Sequence, residues 1–398
     1  MGLTSHKVLA LTVLIAVVMM VGTVWLWPRL ARKSWQAVLG RIGTLLATQL
    51  TVLAALGLVA NNYFAFYSSW DDLLGTGSTG PVVIHNKADA SGRLLVETIG
   101  RASVKGGGAM GREPGHSGEI RKVRIDGRVS RLSTEGYVYL PPQYFQPEYA
   151  QRQFPAVIVS TGFPGIAENL ITRFNYPGAA LKLLQEGRMQ PTVMVMLQPS
   201  PALPQDTECE DIPGGAQSDT YFTKDVTSAI QASYRVSSDP HAWAFMGNST
   251  GGYCAVKMAM RHPDVFPTAV ALSGYYDAAD DPTTGDLFGG SKQRRDEANL
   301  MWRLKHLPQP DISVLLAGTK KGDGNYKPDT EAFIDAVHSP MKVSYSMLEN
   351  GGHNFETWSA LLPSSLEWLS RHLKVPGEPN ASGQPNQPNQ PGQASQAT

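Results

Sequence analysis

Five residues near the middle of the chain, Gly247-Asn248-Ser249-Thr250-Gly251, restrict its fold more than any other stretch. The pattern G-x-S-x-G is weak in isolation, because glycine and serine are common. Its flanks make it specific. His241 to Met246 is a short, mostly apolar run of the kind a buried strand shows. Gly252 to His262 has no internal breaker, ends in basic residues and is stopped by Pro263, which predicts a helix. A strand joined to a helix by so sharp a turn strains the backbone at the serine. Glycines two positions to either side let strand and helix approach closely. Ser249 then projects its hydroxyl from the top of a sheet. The bland alternative, a glycine-rich loop with an idle serine, leaves the downstream pattern described below without a reason.

The 398-residue chain is long enough for one large domain plus additional segments. Its formal net charge is zero, so nothing in the balance points to a nucleic-acid partner. Mean hydropathy is slightly negative (−0.19), which excludes a polytopic membrane protein. The apolar residues are instead concentrated at the start. Val8 to Trp27 is uncharged and about the length that crosses a bilayer, and Ile42 to Ala60 is a second uncharged run. A cleaved signal peptide is the alternative for the first run, but it is long for that, and Trp25-Leu26-Trp27-Pro28 is a poor cleavage site. Tyr63, Phe64, Phe66, Tyr67 and Trp70 follow the second run and suit an interfacial aromatic belt. The connecting segment carries Arg29, Arg32, Lys33 and Arg41 and no acid, whereas Asp71 and Asp72 follow the second run. The positive-inside rule therefore predicts a two-pass anchor with the connection cytoplasmic and everything after about residue 70 extracytoplasmic. The lipid bilayer is the partner this implies. Only two cysteines are present, Cys209 and Cys254, both on the outer side. An even pair in an oxidising compartment predicts a disulfide, which would tie a polar loop to the helix after Ser249.

Residues 71–117 are rich in glycine and serine and read as a spacer, with Pro81 to His85 and Leu94 to Thr98 as possible edge strands. From residue 118 to 375 short apolar runs alternate with helical segments. Strands are expected around Ile120–Ile125, up to Leu140, and at Phe154–Ser160, Thr192–Leu197, His241–Met246, Pro267–Ser273, Ile312–Ala317 and Lys342–Leu348. Helices are expected at Pro177–Gly187, Asp219–Tyr234, after Ser249, at Pro328–Val337 and at Glu356–His372. This alternation predicts an α/β fold, a mostly parallel central sheet with helices on both faces. Residues 376–398, rich in proline, glutamine and asparagine, have nothing to bury and read as a disordered tail.

A serine hydroxyl needs a base to take its proton, and the base needs a carboxylate to hold its tautomer. His353 is the only one of nine histidines placed after the last strand and before the last helix. It is the expected base. The acid should follow the strand ending at Gly318. Asp323 has a suitable offset, with Asp329 and Glu331 as competitors near the next helix start, where a carboxylate also serves as a cap or dipole partner. Two backbone N–H groups are needed where negative charge develops. Thr250 supplies one. Within Thr161-Gly162-Phe163-Pro164-Gly165 the proline has no N–H, so Phe163 is the better second donor. No metal signature, phosphate-cradling loop or cofactor motif appears. Asn248-Ser249-Thr250 formally matches a glycosylation acceptor but lies inside the turn.

Three stretches carry a family resemblance: Gly247 to Gly252, Leu272-Ser273-Gly274, and Gly351-Gly352-His353-Asn354-Phe355-Glu356-Thr357-Trp358. Through them, the segment from about residue 118 to 373 resembles the esterase branch of the α/β-hydrolases. That branch includes the secreted mycolyltransferases of the antigen 85 complex and the S-formylglutathione hydrolases. With the two N-terminal runs, Asn62-Tyr63-Phe64 and Ser69-Trp70-Asp71-Asp72, the chain is similar to membrane-anchored actinobacterial esterase-like proteins. The resemblance implies Ser249 as nucleophile, His353 as base, Phe163 and Thr250 as oxyanion donors and a carboxylate near Asp323. The acid loop, Lys320-Lys321-Gly322-Asp323-Gly324, departs from the mycolyltransferase version, with aspartate in place of glutamate. The expectation is an extracytoplasmic serine esterase or acyltransferase acting on a small-molecule or lipid acyl ester, with water or a sugar hydroxyl as acceptor. The rival expectation is a non-catalytic cell-envelope protein that keeps the fold to bind polymers.

Overall fold

The computed structural model describes residues 5–64, 95–102, 104, 113–324 and 326–375. The tail, the Pro81 to His85 strand and most of the expected spacer lie outside the described residues.

Two helices open the chain, α1 (His6–Leu30) and α2 (Trp35–Phe64). Both are long and apolar enough to cross a membrane, with mean hydropathy of 2.5 and 1.9 over their most apolar windows. They pack on each other, and the Thr23 and Thr48 hydroxyls meet at 2.8 Å across the contact. A polar pair between two apolar helices favours their association. Outward-facing leucines, valines and tryptophans line both helices.

Among the described residues nine strands follow: β1 (Val96–Ala102), β2 (Glu119–Asp126), β3 (Ser133–Leu140), β4 (Ala156–Ser160), β5 (Val193–Leu197), β6 (Trp243–Asn248), β7 (Thr268–Leu272), β8 (Ser313–Thr319) and β9 (Lys342–Leu348). They form one sheet in the order β1-β2-β3-β5-β4-β6-β7-β8-β9. The first three pair antiparallel, β3 pairs antiparallel with β5, and every pairing from β5 to β9 is parallel. β1 corrects part of the spacer reading. Residues 96–102 extend the sheet edge, two residues later than the Leu94 to Thr98 strand expected, with Val96 buried against the core. Pro114–Ser117 forms a single helical turn before β2.

The continuous apolar runs of β4, β5 and β7 hide an alternation. Ala156, Ile158, Val193, Val195, Ala269 and Ala271 belong to the core on one face of the sheet. Val157, Val159, Met194, Met196, Val270 and Leu272 belong to the core on the other. Both faces are covered, so successive residues inside each strand are apolar and the period of two disappears from the sequence. The helix after Ser249 (Thr250–Arg261, the elbow helix) covers the first face together with a helical segment at Ser218–Ser233. That segment opens into a π turn at Tyr221–Val226. Tyr176–Gln185 and the last helix, Phe355–His372, cover the second face. Lys292–Ala298 and Leu300–His306 were not expected. Each is seven residues long and starts from a capping residue, Ser291 or Asn299, so there is too little length for a helical period to show.

Chain order sets the site. β4 lies inside the sheet, β5 adds on one side of it and β6 on the other. The connections therefore diverge beyond the carboxyl ends of β4 and β6, which is where open α/β sheets leave a crevice. At that point two glycines allow near contact of backbones. A Cβ on Gly247 would fall 2.4 Å from the Gly251 backbone, and one on Gly251 would fall 2.4 Å from the Ser160 carbonyl oxygen. Backbone atoms on both sides leave nothing to yield. We expect Gly251→Ala to cost about 3 kcal/mol and to lower the thermal midpoint by roughly 5–10 °C. Gly115→Ala, with open space around the added carbon, stays near wild type. Circular-dichroism melts of both variants check this.

Candidate active site

Ser249 sits at the turn from β6 into the elbow helix with φ 53° and ψ −123°, a conformation side-chain-bearing residues rarely adopt. The fold holds it there. The Ser249 N–H donates to the Leu272 carbonyl of β7, and the Ser249 carbonyl accepts from Gly252 and Tyr253 to start the helix. Gly162, at the end of β4, has no room for a side chain, since a Cβ there would lie 2.7 Å from Ser249 Cβ. Asn248 is buried inside the turn, so its formal match to a glycosylation acceptor has no accessible side chain.

His353 Nε2 lies 2.8 Å from Ser249 Oγ, and its Nδ1 lies 3.0 Å from Asp323 Oδ1. The imidazole is 44% exposed and the carboxylate 8%. Asp323 and His353 come from separate loops that are joined to each other. The Lys320 N–H donates to the Leu348 carbonyl, the Gly351 N–H to Lys321, and the Thr319 hydroxyl to the Gly351 carbonyl. Gly322 permits this with φ +98° and near contact with the Gly351 carbonyl. Burial pushes the Asp323 carboxyl up, but the His353 hydrogen bond and the neighbouring Ser273 hydroxyl outweigh it and hold the group below the ordinary carboxylate range. Of the competing acids, Asp329 is in the first turn of the helix Tyr326–Ala336 and Glu331 is paired with Lys327 one turn along it. It is Asp323 that contacts His353.

The Phe163 and Thr250 backbones flank Ser249. The Phe163 N–H donates to Thr250 Oγ1 at 3.3 Å. Thr161 to Gly165, Asn248, Ser249, His353, Asn354, Phe355 and Trp358 line a small cleft. Trp358 meets the His353 ring edge-on at 4.9 Å and packs against Phe174 and Phe355. Asn354 caps the last helix by accepting from the Thr357 N–H, which fixes where that helix starts relative to His353. Sequence reasoning missed Ser273 and Trp358 as neighbours of the acid and the base. Ser273 directly follows β7, at the same end of the sheet as Ser249, and that position was the available signal. Trp358 stands at the end of the Gly351-to-Trp358 stretch that carries the family resemblance, but its ring contact depends on how the last helix is docked. Among the described residues no group of three or more His, Cys, Asp or Glu side chains is arranged to hold a metal ion.

The loop expected to carry a disulfide lies against the elbow helix. Cys209 and Cys254 are bonded, with an S–S distance of 2.02 Å. The same contact buries Lys257 completely, and its Nζ lies 2.6 Å from Glu210 Oε1 and donates to the Glu208 carbonyl at 2.7 Å. Arg261 pairs with Glu210 and Asp219, and His262 lies 2.7 Å from Asp219. Burial works against these charges. Lys257 and Arg261 outweigh it for Glu210, and His262 and Arg261 do so for Asp219, so both carboxyls sit below the ordinary range. Glu208 and Asp206 behave oppositely. Burial pushes Glu208 up to about 8, with the Asp206 charge adding to it, and burial pushes Asp206 up to about 6.

Residues 132–369 match the sequence model of a family described as "Putative esterase". An uncharacterized protein of Corynebacterium glutamicum is 24% identical over 359 residues, covering 83% of this chain and 77% of its own length. An S-formylglutathione hydrolase from Agrobacterium tumefaciens superposes with a TM-score of 0.54 at 17% identity, covering 65% of this chain and 96% of the hydrolase. A ferulic acid esterase gives 0.55 at 19% identity, covering 65% and 99%. A fluorophosphonate-binding serine hydrolase of Staphylococcus aureus gives 0.51 at 16% identity, covering 64% and 98%. At these identities the likeness to solved structures establishes the α/β-hydrolase fold.

The carboxyl shifts give the pH dependence of stability a sign. Glu208 and Asp206 bind protons more tightly in the fold than in the unfolded chain, so their contribution falls as pH rises from the ordinary carboxylate range towards their raised values. Glu210 and Asp219 are depressed, and their contribution is lost only as pH falls below about 4. The thermal midpoint of the full chain in detergent is expected to rise as pH is lowered from about 9 to about 5. Glu208→Gln flattens that rise without lowering the midpoint at the alkaline end. Melting curves across pH for both proteins measure it.

Proposed function

Because the chain belongs to the putative esterase family of α/β-hydrolases, we propose that it is a membrane-anchored, extracytoplasmic serine esterase in which Ser249, His353 and Asp323 form the catalytic triad. The observation that carries this reading is the continuous hydrogen-bonded series from Asp323 Oδ1 through His353 to Ser249 Oγ. Ser249 Oγ attacks the carbonyl carbon of an acyl ester while His353 Nε2 takes its proton. Asp323 holds the Nδ1–H tautomer and stabilises the imidazolium. The backbone N–H groups of Thr250 and Phe163 face the oxygen that becomes negative. The carbon–oxygen bond then breaks as His353 returns the proton to the leaving alcohol, which leaves an acyl group on Ser249. Water attacks that ester with His353 again as base, and the acid product departs with Ser249 restored.

The half-exposed imidazole favours hydrolysis over transfer, because water reaches the base directly. The names of the similar solved structures, an S-formylglutathione hydrolase and a ferulic acid esterase, support a small-molecule acyl ester as substrate class. The domain layout we propose is an anchor over residues 1–70, a spacer from residue 71 now shortened by β1, a catalytic domain up to residue 375 and a tail over residues 376–398. The basic connection between α1 and α2 supports an extracytoplasmic catalytic domain. A sugar acceptor and a bilayer partner remain part of this reading.

Full-length protein in detergent is expected to react with a fluorophosphonate probe and to hydrolyse short-chain p-nitrophenyl esters. Ser249→Ala abolishes labelling. His353→Ala and Asp323→Asn lower kcat on the order of 10²- to 10⁴-fold without loss of fold. Labelling that persists in Ser249→Ala, or no labelling of a well-folded wild type, sinks the mechanism and promotes a binding role for the fold.

A further inference from the structure

The N–H of Phe163 is directed at a buried hydroxyl. It donates to Thr250 Oγ1, which is only 4% exposed and has the Tyr275 phenol as a neighbour. The Tyr275 hydroxyl donates in turn to Glu208 Oε1 at 2.6 Å, and the same oxygen accepts from the Ala279 N–H at 3.3 Å. Tyr275 stacks on Tyr253 with ring centroids 5.1 Å apart, and the Glu208 backbone is tied to the elbow helix by Lys257 and by the adjacent Cys209–Cys254 bond.

We propose that the Thr250 side chain is a positioning residue for the oxyanion hole: held in the buried first turn of the elbow helix, Thr250 Oγ1 keeps the Phe163 N–H beside Ser249 in the resting enzyme and yields it to the substrate oxygen as charge develops. The bond lengths fit a placeholder. A neutral bond of 3.3 Å is at the long, weak end of the range, whereas an oxyanion accepts a shorter, charge-assisted bond. The N–H is thus never left unpaired, and little is lost when it changes partner. Thr250 acts twice, through its own backbone N–H and through its hydroxyl on the other donor. The inference rests on the esterase reading of the Ser249 site.

Two measurements on the full chain in detergent test it. In the first, kcat and KM for p-nitrophenyl acetate are compared for wild type, Thr250→Val and Thr250→Ser. Removing an oxyanion donor outright costs roughly 10²- to 10³-fold in kcat, so a misplaced donor in Thr250→Val is expected to cost about tenfold with KM within about twofold. Thr250→Ser returns to near wild type. In the second, amide hydrogen exchange of the peptide containing Phe163 is faster in Thr250→Val and unchanged in Thr250→Ser. Wild-type kcat in Thr250→Val, equal impairment of the valine and serine variants, or unchanged exchange in Thr250→Val overturns the proposal. If wild type neither labels with fluorophosphonate nor turns over ester, the esterase reading fails by itself. The exchange measurement then still decides whether Thr250 holds the loop, and an unchanged rate rejects that too.

Discussion

Near contact between two pieces of backbone underlies the whole site. The first turn of the elbow helix lies against the carboxyl end of β4, with Gly251 touching the carbonyls of Ser160 and Thr161 and Gly162 touching Ser249. The left-handed turn at Ser249 exists because strand, helix and neighbouring strand all exclude any other path. Backbone strain of this kind persists only when its surroundings over-determine it. Here they do so from two sides, through the β7 hydrogen bond to the Ser249 N–H and through the buried elbow helix.

The elbow helix in turn depends on a polar contact. A helix with buried residues along eleven consecutive positions cannot present a charged face to water, and Lys257 lies on it without exposure. The loop carrying Glu208, Cys209 and Glu210 supplies what that lysine lacks, and the disulfide fixes the loop in place. Removing one partner of such a buried pair generally costs more than the pair itself is worth, because a bare charge is left behind. The cluster is therefore better understood as a constraint on geometry than as a source of stability. It holds the outer side of the helix whose first residue, Thr250, faces Ser249. The loops bearing Asp323 and His353 form a second rigid unit, joined to each other by three backbone-directed hydrogen bonds. Ser249 and His353 meet where these two units face each other.

Most of the strands were legible because both faces of the sheet are covered, so each central strand is a short uninterrupted apolar run. The elbow, the histidine loop and the candidate acid were legible for a different reason. Each directly follows a strand at the same edge of a parallel sheet, and chain order alone brings such positions together. β1 was only partly legible, because an edge strand with a single buried residue, Val96, in a glycine-rich region has too few apolar residues to mark its ends. The two seven-residue helices at Lys292–Ala298 and Leu300–His306 were invisible for want of length.

By itself the sequence determined the α/β class, the two apolar helices, the serine in its turn, the histidine after the last strand and the cysteine pair. All of these follow from local pattern and order along the chain. Tertiary structure decided among Asp323, Asp329 and Glu331, because the choice depends on which carboxylate the Gly322 turn aims at His353 and not on offset from β8. It also decided that Trp358 edges the imidazole, that Lys257 is buried, and that the Phe163 N–H is engaged by Thr250. Those contacts join residues dozens of positions apart or depend on how a helix is docked. Side-chain direction in a packed core is set by what lies opposite, and a sequence read in one dimension does not contain it.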